Sequence, residues 1–334
     1  MTSNTSLIIC TYLRPKPLVT LLDSVFKGAV IPSEILIIDG SLDNATAAIL
    51  NEKKYSNLQY FKVSEADRGL TKQRNFGINS VGAAMDIVFF LDDDTIVSRD
   101  YFKELIATYD QYPDALGVGG YITNEVTWRK LAVGEKINAN QFAYDGWVRS
   151  DGARFVLRKK LGLDSNKPPA HMPEFSHGRS VSFLPPTDKT YPAEQFMGGV
   201  ASYRKETLET HKFSEYFEGY GLYEDADFTL RLSNAGTLYV NTGAQLEHHH
   251  DAAGRPNKYV YGKMVVRNGW YVWRVKHPKP SLKARLKWNA ITILLLKIRW
   301  INVITTSKRK EAFTEALGRT VAWWQLLFNK PKIE

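Results

Sequence analysis

The sequence predicts an α/β protein: a mixed, mostly parallel sheet flanked by helices, followed by a basic helical C-terminal extension. Three observations carry this reading. Short apolar runs alternate with amphipathic stretches over the first hundred residues. Acidic residues stand where apolar runs end, at Asp39 and at Asp92–Asp94. From Arg255 to Glu334 the chain carries 18 Lys and Arg against 3 Asp and Glu.

Ser6–Cys10 (SLIIC) and Glu34–Asp39 (EILIID) are apolar runs of strand length, and Leu18–Phe26 between them has helical spacing. Leu58–Val63 reads as a third strand, Thr71–Ser80 as a helix and Asp86–Asp92 (DIVFFLD) as a fourth strand. Such alternation builds βαβ units, whose ligands sit at the carboxyl ends of the strands. Asp39 and Asp92–Asp94 are therefore placed to share one crevice. Residues 125–192, rich in Trp, Tyr, Arg, Pro and Gly, have weak periodicity and read as an irregular insertion. Regular structure is expected to resume from Ser214. Tyr223–Ala235 reads as a helix with acids in its first turn and Gly236 after its end. Leu238–Val240 and Gln245–His248 read as two short strands. The expected organisation is a body over 1–254, in halves 1–122 and 123–254, and a helical region over 255–334.

Composition narrows the setting. At 44% hydrophobic and 24% charged, the chain has the make-up of a globular protein. The single cysteine, Cys10, excludes an internal disulfide framework and a cysteine-rich zinc site. The opening MTSNTS has neither the basic nor the apolar region of a signal peptide, so a cytoplasmic setting is expected. The net charge of +9 divides into −6 over residues 1–254 and +15 over 255–334, which directs the tail to an anionic partner. No nucleic-acid recognition motif accompanies that charge, and no nucleic acid is expected. Trp288–Thr306 is apolar, yet Lys297 and Arg299 near its middle argue against a membrane span. Residues 280–334 read instead as interfacial helices for an anionic membrane surface, or as helices packed on the body or on a second subunit.

The chemistry concentrates at acids. Three adjacent carboxylates repel one another unless a cation neutralises them. In extended chain Asp92 and Asp94 share a side and Asp93 points the other way. That pattern suits Mg²⁺ or Mn²⁺ with oxygen ligands, or else a solvated acidic loop. Upstream, Arg68, Lys72 and Arg74 in DRGLTKQRN suit a diphosphate, or offset those acids. Arg14 follows the first strand. In YEDAD (Tyr223–Asp227) the helix dipole attracts acids in any case. Asp227 and Arg231, four apart, suit a pair. Among His248–His250, an extended chain would put His250 on the face of His248.

Taken in order, Thr11-Tyr12-Leu13-Arg14-Pro15, Asp39, Arg74-Asn75, Asp92-Asp93-Asp94, Gly198-Gly199, Glu224-Asp225-Ala226-Asp227, Arg231-Leu232 and His248 resemble the pattern of family 2 inverting glycosyltransferases. The match covers residues 6–122 and 194–250. More loosely, it resembles the bacterial members that build surface polysaccharides. The resemblance implies a Rossmann-type GT-A fold, a nucleotide-diphosphate sugar donor, and a glycan or lipid-linked glycan acceptor. It implies Mn²⁺ or Mg²⁺ held by Asp92, Asp94 and His248. It implies donor contacts from Thr11, Arg14, Asp39, Arg68, Arg74 and Asp93, and Asp225 as general base. Glu224 is then expected to orient or cap. A lipid-linked acceptor would suit a protein lying peripherally on the inner face of the plasma membrane. The alternative reading is a sugar-phosphate nucleotidyltransferase, which would usually show a glycine-rich loop after the first strand. CTYLRPKPL contains no glycine.

Overall fold

The computed structural model describes residues 4–217, 219–250 and 256–333. Contacts divide the chain into two compact units: Met1–Val126 with Pro186–Arg255, and Thr127–Pro185 with Pro256–Glu334. The boundary expected at residue 254 lies outside the described residues.

The elements follow in chain order. The first stretch comprises β1 (Thr5–Thr11), α1 (Pro15–Val25), β2 (Glu34–Asp39), α2 (Ala45–Lys53), β3 (Leu58–Lys62) and α3 (Leu70–Ser80). It continues with β4 (Ile87–Asp92), β5 (Thr95–Val97), α4 (Tyr101–Gln111) and β6 (Ala115–Ile122). Then come β7 (Arg129–Lys130), β8 (Gln141–Tyr144), β9 (Trp147–Ser150) and α5 (Ala153–Lys160). After them lie β10 (Thr190–Ala193), β11 (Val200–Arg204), α6 (Lys205–Thr210), α7 (Glu224–Leu232) and β12 (Thr237–His248). The chain closes with α8 (Lys258–Lys276), α9 (Leu282–Thr305) and α10 (Arg309–Phe328).

In the first unit one sheet runs β10-β12-β6-β11-β4-β1-β2-β3, with β5 paired to β12. The β1–β2, β2–β3, β1–β4 and β6–β12 pairs are parallel, while β11 is antiparallel to both β4 and β6. The sheet is therefore mixed. All six residues of β2 are buried, as expected of a strand covered on both faces. One layer of the core joins Leu7, Ile9, Ile37 and Phe89 to Leu18 and Leu22 of α1 and Leu105 of α4. α1 starts earlier than its apolar spacing suggested, because Pro15 fits the first turn, where its missing N–H costs nothing. Register sets Thr11 beside Asp39 and Cys10 beside both Ile38 and Asp92. The carboxyl ends of three strands thus reach one level.

Two expectations for the later part of this unit change. Leu238–Val240 and Gln245–His248 belong to one strand, β12. Its register against β6 shifts between Val240 and Gln245, where Asn241 Oδ1 accepts the Gly243 N–H at 2.8 Å. That local turn hides the continuity, while β10 pairs with β12 through Asn241. Regular structure also resumes before Ser214, at β10, β11 and α6. β10 is an edge strand, where Pro192 removes no needed donor.

The second unit pairs a small antiparallel sheet, β7-β9-β8, with the C-terminal helices. Its segment 127–185 has a core of its own, built around a cation. Arg179 lies over Phe142 and Phe155, at 4.6 and 4.5 Å from the ring centroids, and bonds Asp151 and Asp164 at 3.0 Å each. Trp273 stacks on Trp288 and donates its indole N–H to the Glu174 carbonyl at 2.7 Å. α8 and α10 approach closely: a Cβ at Gly262 would strike the Glu315 carbonyl, and one at Gly318 the Tyr259 carbonyl. Among the described residues no helix is long and apolar enough to cross a membrane.

Candidate active site

β4 ends at Asp92, and Asp93 and Asp94 form the turn into β5. The turn, rather than a continuing strand, separates the three carboxylates. Asp93 folds back on the first strand: it accepts the Thr11 hydroxyl at 2.7 Å and Arg14 Nη1 at 3.0 Å. Burial pushes its pKa up to about 7 against the pull of Arg14 and Thr11. Asp94 Oδ2 lies 3.4 Å from the same Arg14 nitrogen, and Oδ1 lies 3.1 Å from His248 Nε2. The β5–β12 pairing sets His248 opposite Thr95 and so beside Asp94. Asp92 is the most open of the three, its side chain 36% exposed. Asp92, Asp94 and His248 each offer a ligand atom, all within 4.8 Å of one another. Glu125, His248 and His250 form a second such group. Burial works against charge on His248, yet contacts with Asp94 and Glu125 push its pKa up to about 10.

The loops beyond β1 and β2 are knitted together. Asp39 is fully buried, with Oδ1 accepting the Ser41 N–H and Oδ2 the Tyr60 hydroxyl, both at 2.8 Å. Ser41 Oγ accepts the N–H of Leu13, which has a positive φ of 57°. Gln73 of α3 donates to the carbonyls of Ile38 (2.8 Å) and Thr11 (3.2 Å). Arg68 donates Nε to the Gly40 carbonyl at 2.8 Å.

The acids of α7 are wired differently. Glu224 pairs with Arg74, which is 3% exposed and also lies 3.5 Å from Asp92 Oδ1. Burial works against the charge on Arg74, but Glu224 and Asp92 push its pKa up nonetheless. Arg74 is thus a cationic bridge between the two acidic clusters. Glu224 serves that bridge, whereas the cap residue of α7 is Tyr223, with no side-chain cap bond. Asp227, fully buried, accepts Arg231 Nε at 3.0 Å and Nη2 at 2.8 Å. Asp225 forms no ion pair among the described residues. It accepts the N–H groups of Ala226 at 2.7 Å and Gly198 at 3.4 Å, and burial raises its pKa. Gly198 and Gly199 make this closeness feasible: a Cβ at the first would meet Arg74 and Glu224, and one at the second the Asp92 carboxyl.

Thr11, Arg14, Asp92, Asp93, Asp94 and His248 thus lie in one contact network, and Arg74 ties Asp92 to Glu224, the neighbour of Asp225. Asp39 and Arg68 belong to the adjoining loop network. Sequence reading missed Tyr60 and Gln73, whose partners lie on other elements, and Glu125, which stands alone after β6. β12 ends at His248, and His250 has φ of 50°, yet its ring centroid is 4.0 Å from that of His248.

A mixed sheet of this order, with acids at the β4 end, is the GT-A architecture. Residues 6–162 match the model of glycosyl transferase family 2, a stretch just short of half the chain. A glucosyl-dolichyl phosphate glucuronosyltransferase of Haloferax volcanii is 26% identical over a stretch covering 37% of this chain and 40% of the relative. The match therefore spans well under half of that relative's length. Among solved structures, a mannosyltransferase of Pyrobaculum calidifontis in complex with GDP-Man and Mn²⁺ superposes with a TM-score of 0.54. It is 13% identical, with 99% of this chain and 89% of that chain covered, a likeness of fold. GalNAc-T7 with UDP, GalNAc and Mn²⁺ superposes at 0.49 with 15% identity, over 84% of this chain and 52% of that one.

Proposed function

We propose that the protein is an inverting glycosyltransferase. It transfers a sugar from a nucleotide-diphosphate donor to a hydroxyl of a glycan or lipid-linked acceptor in surface-polysaccharide synthesis. The observation that carries this reading is the convergence of Asp92, Asp94 and His248 within 4.8 Å, with both aspartates at the end of β4 in the stretch that matches the family 2 model. Two carboxylates and an imidazole are a donor set that suits Mn²⁺ or Mg²⁺. When bound, such a cation supplies Lewis-acid stabilisation to the departing diphosphate. The remaining roles fall to the chain itself. Asp39 and Asp93 contact the nucleoside, with Asp93 held ready by Thr11 and Arg14. Arg68 and Arg14 stand beside the diphosphate, and Arg74 keeps the Asp92 and Glu224 carboxylates in place. Asp225 accepts the proton of the incoming hydroxyl; with no basic partner among the described residues, it is the carboxylate of α7 available for that task. Single displacement then inverts the anomeric centre. The lipid-linked acceptor is supported by the name of the Haloferax relative.

The experiment is a thermal-shift screen of nucleotide sugars with Mn²⁺, followed by transfer assays in EDTA. One donor class should raise Tm by mass action, only when the metal is present, and EDTA should abolish transfer. Full transfer in excess EDTA would refute the metal assignment. Release of pyrophosphate from a sugar phosphate and a nucleoside triphosphate would point to the nucleotidyltransferase reaction instead.

We also propose that the second unit docks on the anionic cytoplasmic face of a membrane. Ile301 and Ile304, near the end of α9, are 55% and 75% exposed, and Lys308, Arg309 and Lys310 follow them, exposed as well. Apolar side chains beside such a basic run suit a headgroup boundary, each Lys or Arg near an anionic leaflet contributing about 1 kcal/mol. The full-length protein should float with vesicles containing phosphatidylglycerol, and Ile301→Glu/Ile304→Glu should stay in solution. Equal flotation of the two would remove the idea.

A further inference from the structure

We propose that Glu125 is a positioning residue for the cation site, holding the His248 ring so that Nε2 faces Asp94 and Asp92. The inference rests on the reading of Asp92, Asp94 and His248 as cation ligands. An imidazole that offers one nitrogen to a metal carries its proton on the other, and that N–H needs an acceptor to fix the tautomer and the ring. His248 is only 9% exposed, and its Nδ1 is buried without a hydrogen-bond partner of good geometry. The carboxylate beside it is Glu125, whose Oε1 lies 3.5 Å from Nδ1, at the outer limit of a hydrogen bond. A small rotation of the ring or the carboxylate closes it.

The backbone delivers Glu125 to this place. The Asn124 side chain clamps the main chain of His248 on both sides, accepting its N–H and donating to its carbonyl, each at 3.0 Å. Glu125 follows directly. His250 holds the same carboxylate oxygen from outside, with Nε2 at 2.8 Å, and restrains it from swinging into solvent. Glu125, His248 and His250 are close enough to hold a cation among themselves. A neutral ring has one lone pair to offer, so His248 can ligate a cation in the inner or the outer cluster but not in both. The inner set brings two carboxylates to the cation and is the more buried of the two, and with Nε2 committed there Nδ1–H is left to donate to Glu125.

The test is Mn²⁺ affinity of the full chain by calorimetry, without donor, alongside Tm. Glu125→Ala should weaken Mn²⁺ binding about 10- to 100-fold with little change in Tm. Glu125→Gln, which keeps an acceptor oxygen, should recover most of that loss. Affinity within twofold of the parent in Glu125→Ala would overturn the proposal. So would Glu125→Gln binding as weakly as Glu125→Ala, which would mean that the carboxylate ligates directly. His250→Ala losing as much affinity as His248→Ala would overturn it too, by assigning the cation to the outer cluster. If neither Asp94→Ala nor His248→Ala changes Mn²⁺ affinity, the cation reading itself fails and takes this proposal with it.

Discussion

The two acidic clusters, Asp92–Asp94 on the sheet and Glu224–Asp227 on α7, hold three carboxylates each and are wired in opposite ways. On the sheet, Asp92 and Asp94 converge with His248 on a shared space, and only Asp93 is fully drawn away, by Thr11 and Arg14. On α7, Glu224 and Asp227 are each taken by a buried or half-buried arginine, and among the described residues Asp225 has backbone donors alone. Carboxylates that share a space make room for an added cation. Carboxylates paired one by one leave a single member free to exchange a proton. On the proposed assignment the same residue type serves a cation in one place and acts as a base in the other, according to which cations the fold already supplies.

The sharpest way to break this contrast is Asp225→Asn. It should lower kcat by about 10²- to 10⁴-fold while Mn²⁺ affinity holds, as measured by transfer assay and calorimetry. A parallel loss of Mn²⁺ affinity would erase the division between the clusters. Next in size is the bridge. Arg74→Met leaves Glu224 buried without its cation and should cost about 3–5 kcal/mol of stability, read from urea unfolding. Adding Glu224→Gln should return much of that loss. Arg231→Ala tests the paired member of α7: about 1–3 kcal/mol of stability should go, with turnover per folded molecule retained. The smallest effect concerns pH. Because burial raises the pKa of Asp225, the acid limb of kcat/KM should turn above the ordinary aspartate value of 3.8, rate being lost as pH falls and the base is protonated. A limb that stays in place in Asp225→Glu and Asp225→Asn would belong to another group.

What the sequence made legible follows from how local the cause was. β1, β2 and β4 are short apolar runs whose burial on both faces needs no partner to be recognised, and the aspartates that end β2 and β4 mark the crevice. β12 was legible only in halves, because Asn241 and Gly243 make a turn that looks like a break until β10 is seen to pair across it. β11 lies between β4 and β6 and is antiparallel to both, an arrangement no pattern in VASYR announces. Arg74 was legible as a cation near acids, but its partner Glu224 is 150 residues away. Glu125 carries no local signal at all, since its meaning comes from a histidine brought alongside by the far end of the sheet.

That placement of His248 has a consequence for the order of events during synthesis. Asp92 and Asp94 leave the ribosome long before β12, and His248 reaches them only once the last strand of the first unit has been added between β6 and β5. A nascent chain halted before that point holds both aspartates but lacks the imidazole, so on the proposed assignment of these three as ligands full cation affinity arrives only with translation of β12.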